Sequence, residues 1–350
     1  MAVINYEPLD SSTDVTTTVT LLYEAIPLTG TIVSGTYNDE NIKNFTHGMF
    51  QAVYDYPYLS SSANHIFDLA VGYSSDSTIS GSTSVTQESK KINMYNEFAQ
   101  VLLGYTGSNN TVREFEKDLN LDNTGSIRDA FFINFSRLIT KDQIKKGSFS
   151  MTLGTGSWSD PFRNAATGPA VEILTDASAS ATGGTTNTIG GDYGLLYTTG
   201  STVRGIVFYQ AGIAVIGTGS WNGVADFNSG SSPVYSYTTA QSLASASISG
   251  SCDALRHRIQ NISFNNTTEI NSTIYFCRVP HNKYNYSANP TYVSSSEIRV
   301  KSIASDTPIS YITTIGLYSP NNELMAIAKL SEPLKKDPSN EITLRVRLDY

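Results

Sequence analysis

The sequence predicts an α+β fold: a β-rich mixed body with a few short helices and an inserted β domain. Three observations predict it. Ser, Thr, Gly and Asn crowd a chain that is only 15% charged yet carries 21 tyrosines, a composition that favours strands joined by long surface loops. Apolar residues alternate with a period of two in many segments, while a helical period shows in only a few short ones. Those helical stretches lie before residue 147 and near 255, on either side of a Gly-rich β segment. The expected organisation is an N-terminal part of the body over 1–153, an inserted Gly/Ser/Thr-rich β domain over 154–250, and a C-terminal part over 251–350.

In chain order, VTTTVTLLYEAIPLTGTIVSGT at 15–36 is β-branched and alternating, which suggests two strands or an extended arm. Asn38 or Asp39 then offers a cap to a helix with Ile42, Phe45, Met49 and Val53 at spacings of three and four, ended by Pro57. Residues 74–91 are polar and form a surface loop. A second helix covers 92–103, with Met94, Phe98, Val101 and Leu102 on one face and Gly104 at its C-terminal cap. AFFINFSRLI at 130–139 is a strand. Thr140-Lys141-Asp142-Gln143 fits a capping box, Gly147 closes the helix, and SFSMTL is again a strand. Strands follow at 170–175, 193–198, 204–216 and 233–238, with a long loop at 177–191. Cys252 to Gln260 forms a helix with Leu255 and Ile259 inward and Ser251 as cap. Residues 262–279 make a strand, a turn and a strand, and further strands cover 296–301, 309–318, 323–330 and 341–350.

Charge and motifs narrow the function. The net charge is −8, and a chain that follows a phosphate backbone normally shows a basic face. The basic clusters Lys90-Lys91, Lys145-Lys146, Arg256-His257-Arg258 and Lys335-Lys336 are short and read as solvated faces or helix ends, so no nucleic-acid partner is expected. Cys252 and Cys277 are too few for a disulfide scaffold. MAVINYEPLDSS does not resemble a signal peptide and no apolar run of membrane-spanning length occurs, so cytoplasmic folding without a membrane partner is expected. His47, His65, His257 and His281 are scattered without ligand spacing, and Cys252 and His257 fall on different helix faces. DLNLDNTGSIRD at 118–129 resembles a calcium loop, but neither the register from Asp118 nor that from Asn120 is complete, so a plain surface turn is expected. No phosphate loop, dinucleotide fingerprint or nucleophile elbow is present. The expectation is no enzyme, no cofactor and no metal.

GTGSW occurs twice, at 154–158 and 217–221, and holds both tryptophans, Trp158 and Trp221. These residues are either a stacking platform for a host surface glycan or plugs that seat a loop on the core.

The C-terminal stretch is the most specific. It reads Ile315-Gly316-Leu317-Tyr318, then Asn322-Glu323-Leu324-Met325-Ala326-Ile327-Ala328-Lys329-Leu330, then Pro333, then Arg345-Val346-Arg347-Leu348-Asp349-Tyr350. This pattern resembles a terminal module of virion structural proteins of large contractile-tailed bacteriophages, especially those of marine cyanobacteria. RGIVFYQAGIAVI at 204–216 resembles a strand pair of such virion proteins, and KNFTHGMFQAVYDYPYLSSSANHIFDLAVGY at 43–73 is similar to a segment of the same proteins. The resemblance implies a non-catalytic virion component, assembled in the host cytoplasm, whose partners are other virion structural proteins and copies of itself. Baseplate, tail or fibre attachment is the first expectation; a neck or capsid-associated protein and a receptor-binding or glycan-binding tail protein are the alternatives.

The residues themselves point the same way. Ser319-Pro320-Asn321-Asn322 suits a tight turn. In ITLRVRLDY, Ile342, Leu344, Val346 and Leu348 share one side, while Thr343, Arg345, Arg347 and Asp349 share the other. Hairpin and last strand form one module, 309–350, with Tyr318, Leu324, Arg345, Arg347 and Tyr350 expected as assembly contacts.

Overall fold

The computed structural model describes residues 6–28, 39–81, 85–106, 111–122, 124–164, 167–181, 184–224, 226–228, 238–286, 293–294, 297–298, 303, 305 and 307–350. Among the described residues, strand accounts for 45% and helical turns for 16%, with four α-helices, so the fold is a β-rich α+β body as expected. The chain divides into two compact units, Leu22–Thr268 and Met1–Leu21 with Glu269–Tyr350.

The larger unit is one antiparallel sheet. Its strands are β2 (Ile42–Asn44), β3 (Phe50–Tyr54), β4 (His65–Tyr73), β5 (Asp129–Phe135), β6 (Gln143–Ile144), β7 (Ser150–Gly154), β8 (Val171–Thr175), β9 (Thr185–Thr188), β10 (Gly191–Tyr197), β11 (Val203–Phe208) and β12 (Ile213–Gly217). The start of β13 (Ile259–Val279) and the end of β1 (Val15–Pro27) belong to it as well. From β13 the order runs β7, β8, β10, β11, β12, β5, β4, β3, β2, with β9 on β10 and β6 on β13. The central strands are buried on both faces. Phe131, Ile133 and Phe135 of β5 enter one core cluster, and Ala130 and Phe132 enter the other. This is why AFFINF and IAVIG are continuous apolar runs instead of alternating ones.

Helices cover both faces. Helix α1 (Glu88–Leu102) contributes Met94, Tyr95, Ala99 and Leu102 to one cluster, and Phe98 stacks on Phe132 at 4.3 Å. Gly72 of β4 allows that approach: a Cβ there would sit 2.6 Å from the Lys91 carbonyl. On the other face, α3 (Thr239–Ser245) and α4 (Ile248–Arg258) supply Leu243, Ile248, Cys252 and Leu255. Both cysteines are free. No helix among the described residues is long and apolar enough to cross a membrane.

Several expectations are corrected. The expected helix after residue 38 is the β2–β3 hairpin. Ile42 and Val53 share a helical spacing, but they are cross-strand partners, and Gly48 turns the chain at φ +64°. The capping box at Thr140–Gln143 does not form, and α2 (Arg137–Thr140) is a single turn. Lys141 takes φ +56°, and the Asp142 and Lys145 amides donate to Thr267 and Asn265 carbonyls of β13. The working capping box is instead at Thr238 and Gln241. The run 204–216 is not one strand but the pair that its resemblance implies, the hairpin β11–β12, reversed at Gly212 with φ +68°. The expected loop at 177–191 contains β9, and the expected turn within 262–279 is absent because β13 is one strand of 21 residues. Helix α4 is capped by Ser247; Ser251 is buried inside it. Expected strand positions 29–36, 233–237 and most of 296–301 lie outside the described residues. The boundaries at 153/154 and 250/251 do not mark the compact units, because β8 pairs with β7 and β12 with β5. Glycines in 154–250 mark turns within the shared sheet.

Three basic residues expected on solvated faces are fully buried. The Lys91 ammonium donates to Leu243, Ala246 and Ala244 carbonyls at 2.7, 2.8 and 3.2 Å, closing the C-terminal end of α3. Burial pushes its pKa down to about 8. Arg258 and Lys336 are treated below.

Candidate assembly surface

In the smaller unit the second half of β13 lies between β1 and β16 (Ile342–Asp349), with Ser272 to Val279 paired against Asp349 to Ile342. β14 (Ser310–Tyr318) and β15 (Leu324–Lys336) form a separate two-stranded hairpin. The turn forms as its residues dictate. The Ser319 amide donates to Glu323 O at 2.9 Å, and Asn322 takes the left-handed position at φ +64°. The Ser319 hydroxyl accepts from the Asn321 and Glu323 amides. Asn suits φ near +60° because its short polar side chain tolerates αL.

The hairpin base is locked. Ser310 and Lys336 are register partners and both are buried. The Lys336 ammonium donates to Asn285 Oδ1 at 2.6 Å and to the Asp337 and His281 carbonyls, while the Ser310 hydroxyl donates to Tyr284 O. Toward the turn this burial ends. Ile315, Leu317, Ala326, Ala328 and Leu330 make a half-buried face. The opposite face carries Ile327 beside Gly316 and is open, with Ile327 57% and Met325 70% exposed.

The structure divides the expected contact residues into two groups. Tyr318 and Leu324 face each other across the turn and lie over Gly316, where a Cβ would meet the Tyr318 ring at 2.9 Å. The Tyr318 ring also meets Tyr6 edge-on at 4.9 Å. Arg345, Arg347 and Tyr350 belong to the other group. Arg347 Nε reaches Asp349 at 2.8 Å and its Nη2 donates to Ser272 Oγ at 3.0 Å. Asp349 is held below the usual carboxylate range by the Ser272 hydroxyl and then by Arg347. Tyr350 is 72% exposed, its backbone paired with Asn271 and its hydroxyl 3.1 Å from Thr273 Oγ1. Alternation along β16 is as expected: Val346 is buried, Ile342, Leu344 and Leu348 half-buried, and Thr343, Arg345, Arg347 and Asp349 exposed.

Sequence reasoning missed Met325, Ile327 and the apolar residues of β1. Val19 and Leu21 are exposed there, and β1 has β13 as its neighbour on one side. The signal was available: both segments carry apolar residues on each face of a strand, more than one core can cover.

The two tryptophans lie in the larger unit and differ in burial. Trp221 is fully buried, donates Nε1–H to Gly154 O at 2.9 Å, and meets Phe131 and Phe227 edge-on. A fully buried ring offers no sugar platform. Trp158 is half-buried and stacks on His257 at 4.0 Å, and its carbonyl lies 3.0 Å from His257 Nε2. The first GTGSW segment and residues 226–227 converge on Arg258. Its guanidinium donates to Gly156 O at 2.7 Å and Asp226 O at 3.1 Å, with longer bonds to Gly154 O and Phe227 O. Burial pulls its pKa down to about 10. Carbonyls arranged around one cation make this a structural clasp.

A polar cleft of about 420 Å³ in the same unit is lined by Lys117, Arg128, Asp129 and Arg204 among others. Both arginines are already paired, Arg128 with Glu114 at 3.1 Å and Arg204 with Glu172 at 3.4 Å.

Compared with protein-family models, with curated proteins and with solved structures, the chain matches none.

Proposed function

We propose that this chain is a structural subunit of a tailed-phage virion, in the baseplate or fibre-attachment region, acting through contacts with other virion proteins and copies of itself. The hairpin β14–β15 carries the reading. Two strands alone are marginal in water, yet these run to 9 and 13 residues and expose Met325 and Ile327. Such a ribbon gains stability when a partner covers it, and exposed apolar residues grouped on one face mark a protein contact. Its open edges suit strand addition, in which main-chain bonds give affinity and alternate side chains give specificity. The resemblance of this segment to virion modules supplies the class of partner. Sedimentation velocity on the full chain, with mass spectrometry of purified particles, tests the proposal. Self-association or presence in the particle is expected; a clean monomer absent from particles contradicts it.

A further inference from the structure

The polar cleft of the larger unit gathers side chains whose hydrogen-bonding capacity the fold does not use up. It opens at one end of the neighbouring strands β11, β12 and β5, where Arg204, Gly217 and Asp129 line it. Lys117 and Gly125 line it from a hairpin in which the Lys117 amide donates to Gly125 O at 3.1 Å. Asn222 closes it beyond the turn Thr218–Trp221. Glycine shapes the wall. A Cβ at Gly219 would lie 2.9 Å from Arg204 Nη1, so only glycine lets that guanidinium rest against the turn.

Donors and acceptors are balanced there. Arg128 uses only its Nε–H on Glu114, at 3.1 and 3.2 Å, and Arg204 only its Nε–H on Glu172, at 3.4 Å. A guanidinium carries five N–H donors. Both ion pairs therefore cancel charge yet leave the Nη groups without a hydrogen-bond partner among the described residues. Lys117 is exposed and joins no ion pair among the described residues. Asp129 accepts the Ser77 hydroxyl on Oδ1 and keeps Oδ2 for another donor. Burial holds its pKa above the ordinary carboxylate value.

We infer that this cleft is a saccharide site that takes one hexose unit through adjacent hydroxyls. Lys117, Arg128, Arg204 and Asn222 donate to it, and Asp129 accepts from it. A hydroxyl both donates and accepts, so neighbouring hydroxyls satisfy cationic donors and a carboxylate at once. A bare anion fits less well. The charges of Lys117, Arg128 and Arg204 are cancelled by those of Asp129, Glu114 and Glu172, and an anion would face the Asp129 carboxylate. The volume of about 420 Å³ lies in the range of small-molecule sites and admits a hexose. Neither tryptophan lines the cleft. The inference does not rest on the virion reading and stands or falls separately from it.

The test is saturation-transfer NMR and calorimetric titration of the full chain with D-glucose, D-galactose and D-mannose, with sodium phosphate as competitor. At least one hexose should bind saturably, with Kd of about 1–10 mM for a ligand of this size, and phosphate should not displace it. Lys117→Ala and Asp129→Asn should each weaken binding by about tenfold, the loss of one charge-assisted hydrogen bond. Both should melt as the wild type does, because Lys117 is exposed and an Asn at 129 still accepts from Ser77. Methyl glycosides separate the sources. Binding equal to that of the free sugar assigns a unit of a glycan, and loss of binding assigns the free sugar; either result supports the saccharide class. Absence of saturable binding by all three hexoses at about 50 mM would overturn the inference. So would displacement by phosphate, or full affinity in both variants.

Discussion

β5 in the large sheet and β15 in the hairpin are both apolar strands, and they meet opposite fates. Phe131 and Phe132 of β5 are fully buried on opposite faces, one under the cluster of α3 and α4 and the other under α1. Met325 and Ile327 of β15 have no such cover. The strand chemistry is alike; what differs is whether the chain supplies its own second layer. Where it does, apolar side chains stabilise the fold by about 1.5–3 kcal/mol each. Where it does not, the same side chains are available to a partner.

Substitutions in the two regions should therefore separate stability from association. The largest effect is expected at Trp221→Ala, which empties a core site and should cost about 3–5 kcal/mol in urea unfolding. Trp158→Ala should cost clearly less, because that ring is half-buried; equal losses would break the distinction between the two rings. Next comes Lys91→Met, which leaves the carbonyls at the end of α3 without a donor and should cost about 1–3 kcal/mol. Its pH dependence has a definite sign. Lys91 titrates near 8 when folded, against its ordinary 10.5. Across that window the unfolded chain binds more protons, so stability rises with pH. Below pH 8 the contribution is flat. The rise should be present in the wild type and missing in Lys91→Met, read from denaturation midpoints at several pH values. Met325→Asp with Ile327→Asp should change stability by only about 0.5 kcal/mol, since both sites are exposed, while weakening self-association or particle incorporation by about tenfold or more. Arg347→Ala should be smallest, with no resolvable change in the same unfolding assay, because its ion pair with Asp349 is exposed.

The legible parts of the sequence were those with local grammar. The turn at Ser319–Glu323 was readable because Pro and Asn set specific dihedrals, and β16 because its alternation is strict. Helix α1 was readable from Met94, Phe98 and Leu102, with Gly104 after it. The β2–β3 hairpin was not, since Ile42, Phe45, Met49 and Val53 satisfy a helical spacing by coincidence and Gly48 is the only sign of a turn. Burial of Lys91, Arg258 and Lys336 was invisible for another reason. Their partners are mainly main-chain carbonyls, such as those of Leu243, Gly156 and His281, and a carbonyl leaves no mark in residue identity. Within the assembly surface, Tyr318 and Leu324 could be placed together from the turn alone. Met325 and Ile327 required knowing that no third strand among the described residues joins β14–β15.

The central claim is that the hairpin is a surface for assembly and not a part of the core. The most direct measurement is to supply wild-type chain and the Met325→Asp, Ile327→Asp variant together during particle assembly and to count each in purified particles by mass spectrometry. The account predicts that the variant, folded and as soluble as the wild type, is depleted by about tenfold or more. Incorporation of the two chains in equal numbers would contradict it.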